Sequence, residues 1–201
     1  MYVYFTSGST GKPKGVIGRN KGLEHFISWE IETFGINDSF RFSQFTNPGF
    51  DVFLRDVFVP LCAGATICIP EKDLLLTGEV LSSWIDENEI SLIHCVPSFF
   101  KIFNTNSVDE SLFTQLKYIL LAGEKIVPFE LQNWFNKFKD KVQLVNIYGP
   151  TETTLAKGYY LIQPEDKDKK YIPIKSIVGS QFVILDQSLK ICPSGVVGEI
   201  Y

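Results

Sequence analysis

Three short apolar runs constrain the fold more than anything else in this sequence: "SLIHCV" (Ser91 to Val96), "YILLA" (Tyr118 to Ala122) and "VQLVNIY" (Val142 to Tyr148). Each is too short for an ordinary helix and rich in β-formers, so each reads as a buried strand. Amphipathic stretches separate them. "TGEVLSSWIDENEI" sets Val80, Leu81, Trp84 and Ile85 at helical spacing behind a Thr77 cap. Pro128 opens a second helix whose apolar residues are Phe129, Leu131, Trp134, Phe135 and Phe138. Strand, helix, strand in this rhythm predicts βαβ units, hence an α/β fold with a largely parallel sheet flanked by helices. After about Tyr159 the texture changes, and "FVILDQSLKICPSGVVGEIY" carries short β-rich runs around Asp186 and a Pro193 to Gly195 turn. The expected division is an α/β part over residues 1–159 and the start of a β-rich subdomain, a sheet or barrel, over 160–201.

Composition narrows the function classes. With 201 residues and 45% apolar side chains, the chain can bury roughly 70% of its unfolded surface around one core. A net charge of -4 argues against nucleic acid as the main partner. Cys62, Cys68, Cys95 and Cys192 form no CxxC pair, and His25 and His94 lie far apart, so there is no zinc signature. Free thiols suit a reducing compartment. No basic n-region and no long apolar run is present, which predicts a soluble cytoplasmic protein without a membrane segment.

The loop "TSGSTGKPKG" (Thr6 to Gly15) follows the apolar "YVYF" (Tyr2 to Phe5), read as the end of a buried strand. It is not a Walker A loop, because Thr6 stands where the first glycine belongs and Pro13 follows Lys12 in place of Ser or Thr. Composition alone allows a solvated turn. It equally allows a flexible loop whose backbone N–H groups, hydroxyls and lysines wrap phosphate oxygens.

A second string, "NIYGPTET" (Asn146 to Thr153), follows the third strand. Together the two strings resemble the ATP-binding signatures of adenylate-forming enzymes, specifically the adenylation domains of nonribosomal peptide synthetases. The resemblance extends through "FDVFLRDVFVPLCAGA", "LLAGE" and "GVVGEIY". It implies attack of a substrate carboxylate on the α-phosphate of ATP, giving an acyl-adenylate and pyrophosphate, with magnesium as cofactor. It further implies transfer of the acyl group to phosphopantetheine on a carrier protein domain beside other synthetase modules.

On that resemblance, Thr6, Ser7, Gly8, Ser9, Thr10, Gly11 and Lys14 hold the β- and γ-phosphates, and Lys14, Thr151 and Glu152 are the catalytic set. Tyr148 lies on the adenine with Gly123, Glu124 and Gly149 beside the nucleotide, Thr151 is near the α-phosphate, and Glu152 is on magnesium. These roles fit the chemistry: an aromatic ring stacks on a base, a hydroxyl donates to a phosphoryl oxygen, and a hard carboxylate oxygen suits magnesium.

The resemblance also maps an acyl pocket onto Asp51, Val52, Arg55, His94, Leu120, Ala122, Ile147, Leu155 and Ala156. Asp51 matches the aspartate that pairs with a substrate's α-ammonium, which favours an amino acid over an aryl or fatty acid. Asp51 could instead cap the following helix. If Arg55 points into the pocket, an acidic substrate is its simplest complement. Alternatively Asp51 and Arg55, at i and i+4, form an intrahelical ion pair. His94 reads equally as a pocket residue or a packed strand histidine. Phe53 and Asp56 depart from the family, which usually has a small hydroxyl residue and a glutamate there.

The family's core begins well before Met1, and its ribose-binding aspartate, hinge and C-terminal lysine are not in this sequence. Residues 1–201 therefore resemble part of an adenylation domain, and alone they are expected to form little adenylate. An acyl- or aryl-CoA ligase of the same superfamily and a non-catalytic remnant are the competing readings.

Overall fold

The computed structural model describes residues 1–6, 12–71, 77–138 and 141–201. The three apolar runs are the centre of the sheet: β5 (Leu92–Cys95), β6 (Tyr118–Leu121) and β7 (Gln143–Tyr148). They lie side by side and parallel, with Ile93 opposite Ile119 and Ile119 opposite Leu144. Burial on both faces explains why they are continuously apolar instead of alternating. Two three-residue strands, β3 (Arg41–Ser43) and β4 (Thr66–Cys68), extend the parallel sheet on one side. On the other, β8 (Gly158–Leu161) and β9 (Lys175–Ser176) add antiparallel pairings, giving the order β4-β3-β5-β6-β7-β8-β9.

Five helices accompany the strands among the described residues: α1 (Asn20–Phe34), α2 (Phe53–Ala63), α3 (Gly78–Glu87), α4 (Pro97–Phe103) and α5 (Gln132–Phe138). Buried residues form two clusters. One joins Ile93, Ile119 and Leu144 to Leu81, Ile85, Phe100, Phe103 and Trp134 of the helices. The other joins Leu92, Leu120 and Val145 to Phe26, Phe34 and Val59. Alternate residues of each strand thus serve opposite layers.

The helix expected from Pro128 begins as a 3-10 turn (Pro128–Leu131) before α5, and Phe129 points out, 73% exposed. Thr77 precedes α3, but its side chain makes no cap hydrogen bond.

The first strand differs from expectation. Residues Tyr2–Thr6 do form a strand, β1, but it pairs only with β2 (Lys14–Gly18) in an antiparallel hairpin. It is not buried: Val3 and Phe5 are exposed, while Tyr2 and Tyr4 face inward. "YVYF" is uniformly apolar, so the run itself gives no clue that alternate residues face opposite sides.

The boundary near Tyr159 marks a change of strand direction and not the end of the main sheet, because β8 and β9 remain hydrogen-bonded to it. A separate antiparallel pair, β10 (Ile184–Leu185) with β11 (Glu199–Ile200), follows. The Pro193 to Gly195 turn between them is closed by the Val196 N–H to the Pro193 carbonyl. Among the described residues no helix is long and apolar enough to cross a membrane.

Candidate active site

In the strand order, the chain passes from β3 outward to β4, then returns to the other side of β3 as β5. Such a reversal opens a crevice beyond the C-terminal ends of parallel strands. A cavity of about 940 Å³ lies there, walled by Thr46 after β3, His94 to Val96 at β5, Ala122 to Ile126 after β6, and Asn146 to Thr151 at β7.

Most of the pocket residues expected from sequence meet at this cavity. Asp51, Val52, Arg55, His94, Ala122, Ile147 and Leu155 line it, as do Gly123, Glu124, Tyr148, Gly149 and Thr151. Leu120 and Ala156 do not; both are packed in the core behind it. Glu152 is exposed on a 3-10 turn (Thr151–Thr153) and is absent from the wall. Ser7, Gly8, Ser9, Thr10 and Gly11 lie outside the described residues. Thr6 and Lys14, which flank them, face each other across the hairpin. Strand β2 contacts the Thr151–Thr153 turn, and the Tyr2 hydroxyl reaches Thr154 Oγ1 at 3.4 Å, so the hairpin strands that flank the first string lie beside the second.

The second string is shaped by its backbone. A Cβ on Gly149 would sit 2.5 Å from Ala156 Cα and 2.7 Å from the Leu155 carbonyl, so only glycine permits this close return of the chain. Thr154 and Leu155 both have positive φ, 67° and 61°, and both are buried. Left-handed backbone at a β-branched residue costs on the order of 1–3 kcal/mol and persists only where packing holds it. The turn keeps Tyr148 half-exposed, its ring edge-on to Phe182 at 6.3 Å. Gly123, after β6, also has positive φ, 83°. Glu124 accepts from the Ser98 N–H at 2.9 Å and the Ser98 hydroxyl at 2.8 Å, bracing α4 against the loop after β6.

Asp51 is not a helix cap: α2 is preceded by Val52 and has no side-chain cap. Nor does it pair with Arg55 within ion-pair distance; the acid nearest Arg55 is Asp56, at 3.7 Å. Burial pushes the Asp51 carboxyl above its ordinary value. The Thr151 hydroxyl, the backbone N–H groups of Val52 and Asp51 and the charge of Arg55 oppose that in part. Asp51 and Thr151, taken from the two halves of the sequence, thus sit beside one another on the cavity wall.

His94 is both a strand residue and a wall residue. Fully buried, it places Nδ1 3.0 Å from Asp56 Oδ1 and Nε2 2.7 Å from Glu30 Oε1. Burial acts to lower its pKa, but the two carboxylates overcome both that and the nearby Arg55, raising it above the ordinary imidazole value. The imidazolium then donates from both nitrogens. Sequence reading missed Glu30 and the role of Asp56. A signal for Glu30 existed: it stands on the apolar stripe of α1, between Phe26 and Phe34, where a solvated acid has no place.

No group of three or more His, Cys, Asp or Glu side chains among the described residues could cage a metal. The residues present fit a magnesium ion held by one carboxylate and nucleotide phosphates, the usual manner for that ion.

The chain is similar over its whole length to large peptide synthases. It is 32% identical over 205 residues to bacitracin synthase 3 of Bacillus licheniformis, matching 99% of this chain and 3% of that protein. It is 33% identical over 205 residues to gramicidin S synthase 2 of Brevibacillus brevis, matching 100% of this chain and 4% of that protein. The chain therefore spans less than a tenth of the length of these relatives. In fold it matches the crystal structure of the nonribosomal peptide synthetase FmoA3, with a TM-score of 0.89 at 24% identity, over 99% of this chain and 21% of that one. The AMP-binding enzyme family model matches residues 1–201. The chain belongs to the AMP-binding enzyme family.

Proposed function

We propose that the complete polypeptide carrying these residues activates an α-amino acid with ATP, as the first step of loading it onto a carrier protein in peptide assembly. The carboxylate oxygen of the amino acid attacks the α-phosphorus, an acyl–O–P bond forms, the bond to the bridging oxygen breaks, and pyrophosphate leaves with that electron pair. Lys14 and the Thr6 to Gly15 loop offset the charge of the departing phosphates. Thr151 donates to an α-phosphoryl oxygen, Tyr148 stacks on adenine with Gly123, Glu124 and Gly149 around it, and Glu152 would hold magnesium, which would offset phosphate charge. Positioning and charge stabilisation do the chemistry here, with no proton to move at the attacking atom. Phosphopantetheine on the carrier domain would supply the thiol for the following step, in which the acyl group passes to sulfur and AMP leaves. The expected setting is the cytoplasm.

The observation that carries the reading is Asp51. A half-buried carboxylate raised by desolvation on the wall of a largely apolar cavity calls for a cation, and the α-ammonium of an amino acid supplies one. Aryl and fatty acids have no such charge. The test is pyrophosphate exchange with a panel of amino, aryl and fatty acids on the complete polypeptide and its Asp51→Ala variant. Truncating one partner of a buried charge pair costs about 2–5 kcal/mol, so amino-acid-dependent exchange falls at least about 30-fold while ATP binding persists. Exchange that is driven equally by aryl or fatty acids, or that is indifferent to Asp51, overturns the reading.

A further inference from the structure

Among the described residues, Arg55 is the buried side-chain cation on the cavity wall that carries a nitrogen without a hydrogen bond. Arg55 is 3% exposed and lines the pocket, and its Nε finds no hydrogen-bond partner among the described residues. A desolvated guanidinium is costly unless paired. Its sequence neighbour Asp56 is the obvious partner, yet Asp56 is committed elsewhere: Oδ1 is 3.0 Å from His94 Nδ1, Oδ2 accepts from the Thr46 N–H at 3.3 Å, and Arg55 Nε is left at 3.7 Å. Glu30 completes the arrangement from α1, holding the other imidazole nitrogen at 2.7 Å. Two buried acids, Glu30 and Asp56, thus bracket one imidazolium, and the guanidinium stands at the cavity end of the row. The remaining charged wall residues do not compete for its role: Glu124 is bound to Ser98, and Lys125 is exposed, over the Tyr171 ring.

We propose that Arg55 receives a second carboxylate, on the substrate side chain, and that Glu30 acts through His94 and Asp56 as a positioning residue that keeps Arg55 free for it. The substrate class is then the acidic α-amino acids. This rests on the amino-acid reading above and refines it. A planar guanidinium binds a carboxylate through two parallel hydrogen bonds, whereas a side-chain amide offers one acceptor oxygen and no charge, and a neutral chain leaves Arg55 with only its 3.7 Å contact to Asp56. Asp51 meanwhile takes the α-ammonium, so the two charges of the substrate are read at opposite signs on the same wall.

The experiment is pyrophosphate exchange by the complete polypeptide with L-aspartate, L-glutamate and L-2-aminoadipate against L-asparagine, L-glutamine and a set of neutral amino acids. One of the acids is expected to exceed its amide at least tenfold in kcat/KM, as sites built to bond a polar group reject analogues lacking it. Arg55→Met removes that preference chiefly by raising KM for the acid, with ATP binding by calorimetry as the check on folding. Glu30→Gln lowers the acid-to-amide ratio several-fold while KM for ATP stays put; a merely structural role would depress all substrates alike. Preference of the unaltered protein for a neutral amino acid, or an acid-to-amide ratio near one, overturns the proposal and leaves amino-acid activation standing. Exchange with no amino acid at all removes the amino-acid reading, and this proposal with it.

Discussion

Replacing His94 with leucine tests the buried charge row most directly. In the native protein both ring nitrogens meet carboxylates that are themselves fully buried, at 2.7 and 3.0 Å. Leucine keeps roughly the volume and removes the cation, leaving Glu30 and Asp56 as two desolvated acids. Breaking a buried ion pair by removing one partner costs about 3–5 kcal/mol. In a domain of this size each kcal/mol lowers the melting temperature by about 2–4 °C, so His94→Leu is expected to melt roughly 6–20 °C below the native protein. The informative variant is the double one. Adding Glu30→Leu removes the acid that His94→Leu orphaned, and Asp56 can then close on Arg55. The double variant is therefore expected to recover at least half the loss, since buried ion pairs exchanged for apolar groups are often neutral. The pH dependence has a definite sign. Because the folded pKa of His94 lies above its unfolded value, near 6.5, its contribution is complete below that pH and fades as pH rises through the folded value. The gap between native and His94→Leu melting temperatures should narrow over that rise. Thermal unfolding followed by circular dichroism reads all three. Additive losses in the double variant, or a native protein indifferent to His94→Leu, would refute the reasoning.

Three further outcomes follow from the site. Tyr148→Ala removes a ring that touches little else in the protein, so it should weaken ATP binding by about 1–3 kcal/mol, the usual worth of a base stack, with melting unchanged; calorimetry measures the first and thermal unfolding the second. Gly149→Ala drives a methyl into the Ala156 backbone and should cost about 1–3 kcal/mol of stability together with at least tenfold in ATP affinity, because Tyr148 and Thr151 hang from the same turn. Iodoacetamide should label exposed Cys62 in the native protein and reach buried Cys68 only after unfolding, since burial pushes its thiol up; peptide mass spectrometry distinguishes them.

The sequence showed what is local and repetitive. Strands β5, β6 and β7 fall within a residue or two of the runs that announced them, because burial on both faces leaves an unbroken apolar signature. Strands β3 and β4 carried no such signal: at three residues each, they are held by pairing with neighbours distant in sequence, as Phe42 is with Leu92. The run "YVYF" reads as buried, yet β1 exposes Val3 and Phe5, for a related reason. An apolar run states that a strand is possible, while its burial depends on what packs over it.

The site divides along the same line. Tyr148, Gly149 and Thr151 all line the cavity, and the sequence singles them out because they stand together in one short string. Leu120 was expected in the pocket; it shares a sheet face with its register partner His94 and with Ala122, but its side chain packs in the core on that face and does not reach the cavity. Glu30 is the extreme case. It is 64 residues from His94, and its partnership is decided by the packing of α1 over the sheet. Even so, an acid on an apolar helix stripe demands a buried base or cation somewhere, and His94 was the one histidine set inside a buried strand. The pairing was thus a question the sequence posed, and the fold supplied its consequence: the imidazole that holds Glu30 Oε1 on one side holds Asp56 Oδ1 on the other, and Arg55 stands on the cavity wall with only a 3.7 Å contact to Asp56.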